Sequence, residues 1–167
     1  MSDADTPAED LWRFALAVYG APGVSAACLE LQDRFGADVP VLLTALWMGR
    51  RGRGLDATGM AALDGVVADW RAEMVQPLRA LRRRLKSGPA PAPSEATEAL
   101  RSAIKRAELS AEKIEMVRLA EWAAAQPEAE GQGDAARNLA LAVAYFAGRA
   151  EVPEALLAPL LEAAEVN

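Results

Sequence analysis

Apolar residues recur along this chain three and four positions apart, the spacing of one buried helical face, and nowhere alternate as a half-buried strand would require. Leu11, Phe14, Ala15 and Val18 mark the face of a first helix that stops at Gly20. Ala21-Pro22-Gly23 is a turn. Val24, Cys28, Leu31 and Phe35 predict a second helix, stopped by Gly36. Asp38 is placed to cap a third helix, with Pro40 tolerated in its first turn. Leu42, Leu43, Leu46 and Trp47 give that helix its buried side, and it ends near Gly49. After a loop, Asp56 caps a fourth helix with Met60, Leu63, Val67 and Trp70 on one face. A kink or break is expected near 69–71, with Asp69 capping the continuation. Met74, Leu78, Leu81 and Leu85 read as the buried face of that continuation, and Pro77 sits within it.

Ser87 to Ser94 is a Pro-Ala linker, extended and mobile. Ser94 caps a long helix to about Ala125, with Leu100, Ile104, Ala107, Ala111 and Ile114 on one face and Ser110 a place to bend. An acidic, Gly-containing loop covers Gln126 to Gly133. Asp134 to Gly148 is a further helix, and Pro153 starts a last short one. The fold class expected is all-α: an irregular bundle of six to eight helices with one long helix. The expected division is a flexible acidic N-terminus (1–10), an N-terminal helical half (11–86), the linker (87–94) and a C-terminal helical half (95–167), together one domain.

Composition sharpens this picture. Alanine, the best helix former, accounts for 38 of the 167 residues, so the large apolar set is smaller than the 52% hydrophobic fraction implies. There is no histidine, which removes His-based nucleophile systems and His-ligated zinc or haem. With one cysteine no intrachain disulfide can form. No cofactor motif is present, so no cofactor is expected. Residues 1–10 lack the basic and apolar regions of a secretory signal. No apolar run approaches the ~20 residues of a membrane span. These features predict a cytoplasmic protein of bacterial type.

Charge is polarised. Residues 1–49 carry a net −5, residues 50–86 a net +5, residues 87–118 balance, and residues 119–167 carry −6. A basic segment inside an acidic chain points to a surface with an anionic partner.

The stretch from Leu11 to about Ala120 resembles a family of uncharacterised, mainly proteobacterial proteins described as a domain of unknown function. The resemblance rests on Trp12-Arg13-Phe14 with Tyr19, Cys28-Leu29-Glu30-Leu31-Gln32-Asp33, Gly36-Ala37-Asp38-Val39 and Leu46-Trp47. Trp70 with Pro77-Leu78-Arg79, Arg82 to Lys86, and Ala107-Glu108-Leu109 extend it. Two positions depart from the family: Pro40 stands where Asn is usual, and Thr44 where a bulkier apolar residue is usual. The resemblance implies an all-helical fold and no established activity.

Four constellations are candidates for chemistry. Gln32, Asp33 and Asp38 form a polar cluster at the corner of the second and third helices. They suit either acid–base work in a pocket or hydrogen bonds to helix starts. Trp12, Trp47 and Trp70 suit an aromatic cage or, given their apolar helical faces, a shared core. The loop Gly49 to Gly54 has the Gly and Arg of a phosphate loop but lacks the Gly-Lys-Ser/Thr ending. The fourth is the basic helix. At about 100° per residue, Arg71, Arg79, Arg82, Arg83 and Lys86 fall within roughly 120° of one another. They are the expected binding surface, together with Arg50, Arg51 and Arg53. The alternative is pairing with Glu98, Glu108, Glu112 and Glu115 of the long helix. The expected function is a non-enzymatic interaction or adaptor module for an acidic protein or other anionic partner. An enzyme or small-ligand binder using Gln32, Asp33 and Asp38 is the alternative. Nucleic acid is disfavoured by the net charge of −6 and by the lack of aromatics in the basic sector.

Overall fold

The computed structural model describes residues 6–128 and 134–167, and every regular element among them is helical. In chain order these are α1 (Pro7–Tyr19), α2 (Val24–Phe35), α3 (Val39–Arg50), α4 (Ala57–Gly65), α5 (Ala68–Trp70), a π-helical turn (Arg71–Val75), α6 (Gln76–Arg84), α7 (Glu95–Ala124), α8 (Ala135–Ala147), a 3-10 turn (Glu154–Leu156) and α9 (Ala158–Val166). The chain forms two compact units. The first comprises Met1–Val66 and Met116–Asn167, the second Val67–Glu115. The Pro-Ala segment 87–94 lies within the second unit, and the unit boundaries fall at 66/67 and 115/116.

In the first unit the helix ends are set by local chemistry. Thr6 Oγ1 accepts from Glu9 N at 3.3 Å while the Glu9 carboxylate accepts from Thr6 N at 2.8 Å, a reciprocal capping box with Pro7 behind it. Residues 7–10 are therefore the first turn of α1 rather than part of a flexible terminus; residues 1–5 lie outside the described residues. Gly36 ends α2 at φ 66°, where a side chain would be strained. Asp56 caps α4 through Gly59 N at 2.7 Å, and Asp134 caps α8 through Ala136 N at 2.8 Å.

α3 is the core of this unit. It is buried from Pro40 to Gly49 except for the 39 and 50 ends, and α1, α8 and α9 pack around it. Gly49 permits the close approach of α8: a Cβ there would lie 2.5 Å from the Ala135 Cα. Asn138 of α8, fully buried, donates to Ala45 O at 3.1 Å and to Arg53 O at 2.9 Å, and its Oδ1 accepts from Leu55 N at 2.9 Å. One side chain thus bonds three backbone groups, two of them buried, and pins the arginine-bearing loop.

The second unit pairs α5, the π turn and α6 with the part of α7 up to Glu115. The chain breaks at Val67, with φ −127°, a turn earlier than the sequence pattern indicates. Near 71 there is no break: Gln76 N donates to Arg71 O, widening the helix into a π turn just before Pro77. Proline has no N–H and crowds the preceding turn, so the wider register accommodates it. Trp70 Nε1 donates to Ala111 O at 3.0 Å. Trp70 thus belongs to this unit, whereas Trp47 is buried in the first and Trp12 is half-buried.

The expected buried face of α6 is also corrected. Met74 is 45% and Leu81 51% exposed, Leu78 and Leu85 are half-buried, and α6 buries none of its residues. The face it turns towards α7 carries Arg79 and Arg82 instead. α7 runs unbroken through Ser110, whose hydroxyl donates to Arg106 O at 3.0 Å without ending the helix. Among the described residues, no single helix is long and apolar enough to cross a membrane.

Candidate functional site

The basic sequence of α6 divides into an inward and an outward set. Arg79 donates to Glu108 Oε1 at 2.9 Å and to Glu112 Oε1 at 2.6 Å, and Arg82 donates to both oxygens of Glu108, one at 3.2 Å. The Glu108 side chain is only 7% exposed. Burial pushes its carboxyl up, but the hydrogen bonds from Arg82 and Arg79 outweigh this and hold its pKa below the ordinary glutamate value. Burial likewise works against the Arg79 charge, and Glu108 and Glu112 more than restore it. Two glutamates thus take Arg79 and Arg82, two of the five cations that the helical sector groups together. The Lys86 charge acts on Glu98, whose main partner is Arg101 at 2.7 Å. Arg71 is half-buried, while Arg83 and Lys86 are exposed. Arg84, which the sequence reading passed over, is exposed as well.

The loop cations belong to the first unit, and the α6 cations to the second. Arg51 pairs with Asp10, and its guanidinium stands 4.7 Å from the Trp47 ring centroid. Trp47 Nε1 donates to the same carboxylate at 3.1 Å. Arg53 donates to Gln126 O at 3.2 Å and to Glu128 at 2.8 Å. Asp10, Trp47, Arg51, Arg53 and Glu128 line a cleft of about 490 Å³. Arg50 is exposed and donates to Glu165 O at 3.3 Å. Each cation of the cleft faces a carboxylate of the same unit, so the cleft is close to neutral.

The three residues of the polar cluster differ in exposure. Gln32 is half-buried, Asp33 exposed and Asp38 buried. Asp38 stands at the N-cap of α3 and its carbonyl accepts from Leu42 N at 3.0 Å, but its carboxylate makes no capping bond. The expected cap is corrected here: the N2 residue is Pro40, which has no N–H to give. None of the three residues lines the cleft above, the second one bounded by Met48, Leu55 and Trp122, or the third beside Gly49 and Ala135. Cys28 is buried, and burial raises its thiol to about 12, so it is held as an inert thiol. Among the described residues, no group of three His, Cys, Asp or Glu side chains comes together as a metal-ligand set.

Missing from the sequence reading was the outer apolar surface of the second unit. On α7, Leu100 is 52% and Ile114 51% exposed, and Ala103, Ala107 and Ser110 between them are exposed too. Their spacing of 3, 4, 3 and 4 was legible as a heptad seam. Leu100, Ala107 and Ile114 were instead assigned to the buried face.

The model of the family described as protein of unknown function DUF2390 matches residues 10–119. No curated protein and no solved structure matches the chain.

Proposed function

The chain belongs to the DUF2390 family of unknown function, and we propose that it is a non-enzymatic protein-interaction module whose partner surface is the outward side of α6. The observation that carries this reading is that α6 buries none of its residues although it is strongly amphipathic. A helix of a finished fold buries its apolar stripe. Here Leu81 stands half in solvent, next in sequence to a run of cations. Arg83, Arg84 and Lys86 are the exposed charges of this surface; Arg79 and Arg82 support it from within by holding α6 on Glu108.

The test is retention from a native lysate at low salt by the wild-type chain and by a variant with Arg83→Gln, Arg84→Gln and Lys86→Gln. The reading expects the same circular dichroism for both, loss of retained partners in the variant, and a steep fall in wild-type retention as salt rises. A folded variant that keeps every partner overturns it.

A further inference from the structure

The ion pairs of the second unit fix how its two helices face each other. Arg79 reaches both Glu112 and Glu108, while Arg82, further along, reaches only Glu108. Higher numbers on α6 therefore meet lower numbers on α7, and the pair is antiparallel. Leu81 then stands at the level of Ala107, and Leu85 near Ile104 and Leu100.

Helical phase gives the direction of each apolar stripe. At about 100° per residue, Leu78, Leu81 and Leu85 lie roughly 70–130° from the mean direction of Arg79 and Arg82. On α7, Leu100, Ala107 and Ile114 lie about 100–140° from the mean direction of Glu108 and Glu112, in the same rotational sense. For two antiparallel helices, offsets of the same sense open to the same side of the pair. The two stripes are therefore the walls of one apolar groove, with Ile104 and Ala111 buried towards its floor. The exposure of Leu81, Leu100 and Ile114 leaves it open to solvent.

The rims of the groove are basic. Arg84 on α6 lies roughly 60° beyond its stripe, and Arg106 and Lys113 on α7 lie roughly 80° and 100° beyond theirs; all three are exposed, with Glu95 at the first turn of α7. A second copy of this chain would bring these same cations against themselves, and like charges across an interface are costly. A helix with acidic flanks has the complementary charge.

We propose that the groove between α6 and α7 binds one amphipathic helix of a partner protein, with leucine-like residues at its a and d positions and glutamate or aspartate beside them. The bound helix completes a three-helix unit, and the exposed heptad spacing of α7 supplies its seam. The proposal rests on the interaction-module reading and specifies the partner.

The test uses the full chain and two synthetic three-heptad peptides with leucine at a and d, one with glutamate and one with lysine at e and g. Binding is read by fluorescence anisotropy and self-association by sedimentation. The proposal expects saturable binding of the glutamate peptide, at least tenfold weaker binding of the lysine peptide, and a tenfold or greater loss in Leu81→Glu and in Ile114→Glu, both with unchanged circular dichroism. Arg106→Gln with Lys113→Gln should flatten the salt dependence. No binding of either peptide, equal binding of both, or self-association abolished by Ile114→Glu overturns the groove proposal. If the peptides fail while Arg83→Gln, Arg84→Gln and Lys86→Gln still remove partners from the lysate, the groove is wrong and the interaction module stands. If that triple variant keeps its partners, the module reading itself fails.

Discussion

α3 and α6 represent the two units, and they are built on opposite principles. α3 is apolar almost all round, buries ten consecutive residues, and approaches α8 closely enough that Gly49 has no room for a side chain. α6 buries none and is held through Arg79 and Arg82 on a nearly enclosed Glu108. The first unit is thus held mainly by shape and volume, the second by a charge network beside a small apolar set of Val67, Val75, Ile104 and Ala111. Interiors at close-packed density punish a change of volume. A buried ion network punishes the loss of one partner, because the remaining charges stay desolvated. The two units should therefore fail under different perturbations, and the differences can be measured.

The largest effect is expected for Trp47→Ala, about 4 kcal/mol of global stability in urea unfolding, as for other large core truncations. It also removes the ring beneath Arg51 and the hydrogen bond to Asp10. Glu108→Gln keeps the volume and removes the charge. It should cost about 3 kcal/mol, because Arg79 and Arg82 then face a neutral group. Hydrogen exchange should speed up in α6 and the first turns of α7 and stay slow in α3; equal loss in both units would show that they unfold as one. Asn138→Ala should cost about 2 kcal/mol by leaving the Leu55 N–H without its acceptor and the Arg53 and Ala45 carbonyls without this donor, with faster exchange at Leu55 as its local signature.

Acid should mimic part of the Glu108→Gln effect in the second unit. The folded pKa of Glu108 lies below the ordinary value of 4.5, so the unfolded chain binds its proton first. This contribution is complete above about 4.5 and is lost as pH falls through the depressed value. Exchange in α6 should accelerate in that window in the wild type, and the acceleration should shrink in Glu108→Gln. Smallest of all, Arg83→Gln, Arg84→Gln and Lys86→Gln together should change stability by no more than about 0.5 kcal/mol each, because these side chains are exposed.

Much of the first unit was legible in the sequence. Gly20, Gly36, Asp56, Asp134 and Gly148 mark helix ends where local chemistry places them, since a cap acts within one turn and needs no distant partner. Apolar spacing found α2 and α3 for a similar reason: a helix in a closed core has a buried face that its period records. α6 defeated the same reasoning. Its leucines have the spacing of a buried stripe, but its inward direction is set by Glu108 and Glu112, about thirty residues away in the chain. The π turn before Pro77 also shifts the phase on which the angular argument depends. At Asp38 the residue type promised a cap, and Pro40 withdrew a donor.

The all-helical class, the positions of most helix ends, the inert core thiol and the polarised charge were all readable from the amino-acid order. Each of these depends on residue type and near neighbours. Which cations pair internally, which leucines remain in solvent, and the placement of the loop arginines and those of α6 in different units emerge from the folded arrangement alone. Those outcomes depend on which side chains meet across long stretches of chain. Hydrophobic period and net charge carry no record of such pairings.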